Sequence, residues 1–272
     1  MPSACSTSCV PMCARPWWLL LLPVLALAQS QTRLSTEAPA WTMTRLHDRL
    51  PAQGLERVEV RNLWGDVRLK PSRNGFVQWH AVVQHDGRLQ AGPRLQAEVE
   101  QGVMRWALAW PDGLDEPGRD RRVDLVLWLP PGPALSLWLE GGRLWMKKPL
   151  DNSLRLRSQQ ADMRILAAGD VDAWSAHGNL TLISRVTPAR ASRQKLASST
   201  GTVKLVFGLD QDIRIQALTG GDVLADVPAH LSLRPEGRQR ILQRGLARHL
   251  YELHSDSGDV LLVYRALLEP PP

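Results

Sequence analysis

Apolar and polar residues alternate along most of this chain in short runs separated by small and polar residues. Residues 123–129 (VDLVLWL) place an apolar side chain at every second position, and runs of the same kind lie at 76–83, 95–99 and 103–110. Such alternation predicts β-strands with one buried face. Turn signals such as Asp86-Gly87 separate the runs. The first half of the chain is therefore predicted to be an antiparallel meander.

A second pattern recurs about every twenty residues. The shared template contains two alternating apolar residues, a small polar stretch, a glycine followed by aspartate, asparagine or threonine, and then two apolar residues separated by one residue of any kind. Ala161 replaces the glycine in one copy, and Arg143 follows the glycine in another. A period near twenty that is built from two short strands and a turn predicts stacked coils with a shared core. The copies lie at 60–69, 137–144, 156–165, 174–182, 196–205, 215–223 and 253–262.

These patterns predict an all-β protein in which the meander leads into a short single-stranded β-solenoid of about 20-residue coils. Residues 55–133 are expected to form the meander and a first solenoid-like segment, and residues 134–267 the solenoid repeats. A basic insertion at 234–249 interrupts the repeats, and residues 268–272 form a proline-rich tail.

The N-terminal residues 1–28 are predicted to be a secretory signal peptide. Arg15 precedes an apolar run at 16–25, and Ala26-Leu27-Ala28 supplies the small residues at which a signal peptidase cleaves. The run is shorter than the roughly 20 residues of a spanning helix, so no transmembrane anchor is expected in the mature chain. Met12 is an alternative start. Residues 29–54 are interpreted as a linker, and the mature protein as periplasmic or extracellular.

Cysteine content and charge narrow the function further. Cys5, Cys9 and Cys13 all precede the predicted cleavage point, so the mature chain would contain no disulfide and no thiolate metal site. Loss of Arg15 from 33 basic residues leaves 32 against 27 acidic ones, a net charge of +5. Because an exported protein seldom meets nucleic acid, anionic envelope polysaccharide or lipid head groups are the favoured partners.

The order of the motifs resembles the bacterial putative-adhesin family. The matching stretches are 58–69, residues 123–132 with their terminal Pro-Pro-Gly, and the serial glycine turns that follow, so the resemblance covers roughly residues 55–265. It implies an exported β-solenoid-like domain of bacterial envelopes and transfers no catalytic residue to this sequence. The 37-residue step from Gly221 to Gly258 and the high tryptophan content depart from the family's pattern.

The segment 254–259, His-Ser-Asp-Ser-Gly-Asp, combines groups that also occur in catalytic sites. Because related segments recur in every copy, the interpretation is a turn in which aspartate accepts backbone N–H bonds. Calcium held between turns is the rival, but it needs several oxygen ligands, and Asn179 and Thr202 replace the aspartate in two copies. The predicted structural turn residues are Gly65, Asp66, Gly201, Gly221, Asp222, Gly258 and Asp259.

No catalytic residue, metal site or cofactor is predicted. The sequence contains no Gly-x-Ser-x-Gly elbow, phosphate-binding glycine loop or His-Glu-x-x-His motif. A carbohydrate-active β-helix enzyme, a lyase or glycosidase, is the alternative, and Asp170 and Asp172 are its closest acidic pair. An accessory protein of envelope-stress signalling is a further alternative.

Two surface features are candidates for ligand binding. The insertion carries Arg238, Arg240, Arg244 and Arg248, whose guanidinium forks suit carboxylate and phosphate groups. The patch is either a docking site for anionic glycan or lipid head groups, or a solvated loop or short helix that caps the solenoid.

The second feature is aromatic. Trp128 and Trp138 lie out of phase with the neighbouring leucines, so they project from the opposite sheet face and form either a second packing layer or platforms for sugars. Together these features predict an exported, non-catalytic structural or binding (adhesin-like) protein of the bacterial cell envelope.

Overall fold

A computed structural model describes residues 41–86, 93–109, 121–186, 190–208 and 212–265. This part of the chain contains strands and no helix, which confirms the all-β prediction. It therefore also contains no helix that could span a membrane. The strands are β1 (Trp41–Pro51), β2 (Arg57–Trp64), β3 (Val67–Pro71), β4 (Phe76–Asp86), β5 (Arg94–Glu100), β6 (Val103–Ala109), β7 (Arg121–Leu129), β8 (Ala134–Gly141), β9 (Arg143–Met146), β10 (Leu154–Ser158), β11 (Asp162–Ala167), β12 (Val171–Ser175), β13 (Leu180–Ser184), β14 (Ser192–Ser198), β15 (Val203–Phe207), β16 (Ile213–Thr219), β17 (Val223–Asp226), β18 (Arg234–Glu236), β19 (Gln239–Arg244), β20 (His249–Ser255) and β21 (Val260–Tyr264).

The strands form two mixed sheets. Sheet A has ten strands in the order β1-β4-β7-β3-β9-β11-β13-β15-β21-β17, and sheet B has eleven in the order β18-β19-β16-β20-β14-β12-β10-β8-β2-β6-β5. From β8 to β17, consecutive strands alternate between sheet B and sheet A. Within this region every strand pairs in parallel with its sheet neighbours, including β8 with β2 and β9 with β3. The exception is β16, which pairs antiparallel with β19.

A strand of sheet B and the strand of sheet A that follows it in the chain are together called a coil. The last coil does not take the last position in the sheets. Strands β20 and β21 lie between β14 and β16 in sheet B and between β15 and β17 in sheet A. The coil around Gly258 is therefore an inner coil, and the coil around Gly221 lies outside it. The 37-residue step that separates these glycines supplies enough chain to reach the outer edge of sheet B and return.

One hydrophobic cluster includes side chains from both sheets. Val203, Leu205, Val260 and Leu262 are fully buried in it, which confirms that the apolar residues after each turn point inward. Val223 is only partly buried because β17 is the last strand of sheet A and lacks a neighbour on one side.

The prediction that consecutive strands of the first half pair with one another as an antiparallel meander is wrong. β4 pairs antiparallel with β1 and β7 in sheet A, whereas β5 and β6 form an antiparallel hairpin in sheet B. β6 then pairs in parallel with β2. Alternation identifies a strand and its buried face, but both sheets bury the same kind of face, so the pattern does not reveal to which sheet a strand belongs.

The predicted linker is also wrong over residues 41–51. These residues form β1, which pairs with β4 in a continuous register from Trp41↔Asp86 to Pro51↔Phe76. Leu46 and Leu50 of β1 pack against the core. Residues 29–40, the predicted signal peptide and the predicted tail lie outside the described residues.

The basic insertion forms a β-hairpin rather than a loop or short helix. β18 and β19 pair antiparallel, and β19 pairs antiparallel with β16. Ile241 and Leu242 of β19 are buried. Two apolar residues in the centre of the insertion thus attach the hairpin to the edge of sheet B.

A column of buried hydroxyl groups runs along the inner side of the turns. Each serine hydroxyl oxygen accepts the N–H of the residue three positions later, as in Ser198 and Gly201, where the Oγ–N distance is 2.9 Å. The partly buried Thr219 accepts the N–H of Gly221, two positions later. Each hydroxyl also donates to the turn carbonyl of the adjacent coil, so one side chain links two coils. The donor and acceptor pairs are Ser175 to Ala161 (3.3 Å), Ser198 to Gly178 (3.0 Å), Ser255 to Gly201 (2.8 Å) and Thr219 to Gly258.

A second column, of carboxylate and amide groups, lies just after the turn glycines. Each side-chain oxygen accepts the backbone N–H of the corresponding residue in the next coil. These bonds cross between coils instead of closing the residue's own turn, and Asp222 takes part through its backbone N–H. The pairs, acceptor first, are Asp66 with Arg143 (3.1 Å), Asp162 with Asn179 (2.8 Å), Asn179 with Thr202 (2.9 Å) and Asp259 with Asp222 (3.0 Å).

The turn glycines are required by close packing more than by backbone angles. Gly65 has a positive φ of 134°, but Gly201, Gly221 and Gly258 do not have φ in the left-handed region. At Gly201 and Gly258, a Cβ atom would overlap the carbonyl oxygen of the turn in the adjacent coil. The physical reason for glycine at these two positions is therefore the approach of one turn to the next.

Replacement of Val260 by aspartate should lower the free energy of unfolding by several kcal/mol, because it removes buried apolar surface and buries an unpaired charge. The adjacent Leu261 faces outward and is partly exposed, so Leu261→Asp is the matched control and should cost much less. Urea unfolding followed by circular dichroism measures both. A Val260→Asp protein that melts within a degree or two of the parent would contradict this core position.

Replacement of Gly201 by alanine should destabilise the fold by about 1–3 kcal/mol, because the added methyl group has no space beside the Gly178 carbonyl. Thr202→Ala alters the same turn without adding an atom near that carbonyl and leaves the Thr202 N–H bond to Asn179 in place. Thermal unfolding of both variants is the measurement. Equal melting temperatures would argue against the close approach.

Candidate functional site

Three of the four predicted arginines are exposed on the β18–β19 hairpin at the edge of sheet B, and the fourth, Arg248, is exposed next to the inner strand β20. Arg238 lies in the turn between β18 and β19, and Arg240 and Arg244 lie on β19, opposite Ala217 and Ile213 of β16. Four residues of strand separate them by about 13 Å. Arg248 precedes β20, and its Nε lies 3.9 Å from Asp212 Oδ2. The structure therefore places three of these arginines on the edge hairpin and Arg248 beside β20, an inner strand of sheet B.

The acidic pair considered for a carbohydrate-active enzyme is engaged in structural contacts. Asp170 accepts the backbone N–H of Arg193 at 2.9 Å. Asp172 forms an ion pair with Arg157, whose guanidinium also donates to the Asp172 carbonyl. Neither carboxylate is left unpaired for acid–base chemistry. Among the described residues, no three His, Cys, Asp or Glu side chains are placed to hold a metal ion.

The polar segment 254–259 separates into three environments. Ser255 is buried in the hydroxyl column and Asp259 belongs to the carboxylate column. His254 and Asp256 form an exposed pair, with 2.6 Å between Nε2 and Oδ1, and the hydrogen bond from His254 lowers the pKa of Asp256. The groups that resembled a catalytic cluster thus do not act on a common centre.

Two further titratable groups lie inside the core. His249 is fully buried, its Nδ1 lies 3.0 Å from Ser192 Oγ, and burial lowers its pKa. The Tyr251 hydroxyl lies 2.8 Å from Ser184 Oγ, and burial raises its pKa. Both are fully buried, so neither faces a ligand in solution.

The outer face of sheet B carries a row in which arginine and tryptophan alternate. In register, Arg61 neighbours Trp138, Trp138 neighbours Arg157, and Arg157 neighbours Trp174. These side chains are largely paired within the sheet: Trp138 Nε1 donates to Glu140 at 2.9 Å, and Arg157 binds Asp172. The polar groups of this face are thus mostly satisfied by neighbouring residues.

The outer face of sheet A carries cations that stack on tryptophans. Arg68 lies over the ring of Trp145, 4.8 Å from its centroid, and Lys70 lies 4.7 Å from the ring centroid of Trp128. Trp128, Trp138 and Trp145 are all half-buried. The prediction that Trp128 and Trp138 project from the outer faces is confirmed.

A groove lies beside Trp145 on this face. It has a volume of about 460 Å³, and its wall and floor include Arg143, Trp145, Asp162, Arg164, Asn179 and Thr181. Asp66 accepts a hydrogen bond from Arg143 at 2.8 Å and thereby raises the pKa of Arg143.

Sequence reasoning missed this groove although the repeat contained its signal. The residue between the two apolar positions after each turn faces outward. In successive coils this residue is Arg68, Trp145, Arg164, Thr181 and Lys204. Alignment of the copies on that position, rather than on the glycine alone, would have revealed a basic and aromatic row.

No family model and no curated protein sequence matches this chain. Among solved structures, a "putative cell adhesion protein" from Clostridium sporogenes is similar over 82% of this chain and 100% of its own, with 12% identity and a TM-score of 0.52. A "putative adhesin" from Bacteroides fragilis covers 82% of this chain and 97% of its own, with 8% identity and a TM-score of 0.38. A "putative lipid binding protein" from Parabacteroides distasonis covers 81% and 97%, with 9% identity and a TM-score of 0.27.

The Clostridium similarity extends over the whole of that chain and reaches a TM-score that indicates a shared fold. The scores of the other two structures are too low to add to it. The resemblance of the sequence motifs to the bacterial putative-adhesin family is thus confirmed at the level of the fold.

Proposed function

We propose that this chain is an exported, non-catalytic binding protein of the bacterial cell envelope, with an adhesin-like role. The fold shared with the Clostridium "putative cell adhesion protein" supports this proposal. The engagement of Asp170 and Asp172 in structural contacts favours binding over the lyase or glycosidase alternative.

The scaffold in this proposal is a short β-solenoid of about 20-residue coils. Parallel pairing of strands that alternate between two sheets supports it. In such a scaffold each coil adds one strand to each sheet, so its outward residues form rows across two broad faces. The antiparallel strands β1, β4 and β7 extend sheet A at one end, and the β5–β6 hairpin extends sheet B.

The ligand proposed for the hairpin is an anionic polymer of the envelope, held by Arg238, Arg240, Arg244 and Arg248. The observation that carries this step is the exposure of Arg238, Arg240 and Arg244 on the hairpin at the edge of sheet B, with Arg248 exposed beside the inner strand β20. Within the part of the chain that the structure describes, Arg238, Arg240 and Arg244 form no ion pair. Their charges are therefore available to carboxylate or phosphate groups of polysaccharide or lipid head groups.

Export predicts that the mature protein begins at Gln29, because Ala26 and Ala28 place small residues at the cleavage site. N-terminal sequencing of protein recovered from the periplasm or medium is the measurement. Replacement of both alanines by leucine should leave the precursor uncleaved. Recovery of exported protein that retains residues before Ala26 would contradict the signal peptide.

Replacement of Arg238, Arg240, Arg244 and Arg248 by glutamine should abolish retention on immobilised lipopolysaccharide or anionic glycan. The interaction is Coulombic between exposed groups, so retention of the parent should fall steeply between 0.1 M and 1 M salt as the Debye length decreases from about 10 Å to about 3 Å. The melting temperature should change little because the four side chains are exposed.

A matched control removes the same charge from the opposite end of the fold. Arg45, Arg49, Arg73 and Arg94 are also exposed, and their replacement by glutamine should leave most of the retention intact. Equal retention by both quadruple variants, or no retention of the parent, would contradict a binding role for the hairpin.

A further inference from the structure

The outer face of sheet A carries a regular row of basic, aromatic and hydroxyl side chains. Arg68, Trp145, Arg164, Thr181 and Lys204 occupy one register position on five adjacent strands. Neighbouring strands lie about 4.8 Å apart, so the row extends over roughly 19 Å. A row of this length and regularity matches an extended ligand with repeated groups better than a single small ion.

Trp145 is the second residue of the row and forms an apolar wall. Arg68 lies over the ring from the β3 side and does not line the groove, which opens on the side of β11 and β13. Arg143 lies farther from the ring, 6.0 Å from its centroid, and lines the groove. Cation stacking from Arg68 fixes the plane of the indole. Trp145 therefore offers a held aromatic surface of the kind on which the apolar face of a sugar ring stacks.

The charges around the groove favour an anion. Arg164 is exposed and forms no ion pair with any residue in the described ranges. Asp162, the acidic residue of the lining, directs its Oδ1 to the backbone and side-chain N–H groups of Asn179, at 2.8 and 3.1 Å. Arg143 is held by Asp66. Arg164 and Lys204 are thus the cations most available to a ligand.

Neutral hydrogen-bonding groups and the volume of the groove indicate which kind of anionic ligand fits there. Thr181 and Asn179 supply a hydroxyl and an amide beside Arg164, which suits a ligand that has hydroxyl groups as well as charge. The volume of about 460 Å³ falls within the usual range for small-ligand sites. Because Trp145 is half-buried, it is poorly placed to insert into a lipid bilayer.

We propose that this groove binds a carboxylated saccharide, with one sugar ring against Trp145 and its carboxylate on Arg164. The site is separate from the arginine hairpin and does not depend on it. Lys204 lies two strands beyond Arg164, about 10 Å away, and takes a second carboxylate of the same chain. The occupant is an acidic glycan; an anionic lipid surface is a different partner that the experiment distinguishes.

Isothermal titration calorimetry with a galacturonic acid oligomer tests the proposal on the full mature chain. The parent should bind this oligomer at least tenfold more tightly than a neutral galactose oligomer of the same length. Trp145→Ala should weaken binding at least tenfold, and Arg164→Gln about fivefold with a smaller salt dependence. Trp174→Ala, which removes a half-buried tryptophan from the outer face of sheet B, is the matched control and should bind as the parent does.

Circular dichroism melting establishes that the variants are folded. If Trp145→Ala is unstable, the exposed Arg164→Gln variant still tests the proposal. No binding by the parent, equal binding of the neutral oligomer, or unchanged binding by Arg164→Gln would overturn the proposal. Tighter binding to vesicles that contain phosphatidylglycerol, lost in the Trp145 or Arg164 variant, would overturn it in favour of a lipid partner. The quadruple arginine variant of the hairpin should still bind the oligomer. The groove proposal and the hairpin proposal can therefore fail independently of each other.

Discussion

The close approach of successive turns is the constraint on which the rest of this structure depends. At Gly201 and Gly258 the carbonyl oxygen of one turn occupies the space that a side chain of the next would need. The buried hydroxyls donate to those same carbonyls, and the outer carboxylates and amides bind the N–H groups of the next coil. Because three sets of contacts fix the turns, the strands that follow start in a common register. That register places Trp145, Arg164 and Lys204 in one row.

Sequence reasoning succeeded where a residue's environment is decided locally. Alternation in Val203-Lys-Leu205 and Val260-Leu-Leu262 has one consistent solution, in which the first and third residues are buried. The turn role of Asp66 and Asp259 also follows from the chemistry of a short acceptor beside glycine. The hydroxyl column was present in the same segments, as a serine three residues before the turn glycine, but its partner is a carbonyl of another coil. A pattern within one copy does not reveal that contact.

The remaining differences concern which strands become neighbours. β1 was interpreted as linker because its apolar residues are few, yet a long antiparallel register with β4 holds it. The insertion was interpreted as loop or short helix because five arginines obscure Leu242, which belongs to the core cluster, and its buried neighbour Ile241. The arginines were visible as a charge cluster in sequence. The groove was not, because its residues come from three strands of three different coils. A binding surface assembled across coils has no contiguous signature.

The position of β20 and β21 inside the stack has a consequence for the order of folding. β16 pairs only with β19 and β20, and β17 only with β21, so neither strand of that coil touches an earlier coil through its sheet hydrogen bonds. Ser192 and His249, which meet across the β14–β20 pair, are 57 residues apart, and contacts of such separation form slowly. During synthesis the N-terminal coils form first, and their sheet edges stay open until β20 and β21, nearly the last strands, have been made. The coil of β16 and β17 is synthesised before β20 and β21 but attaches to the sheets only after them.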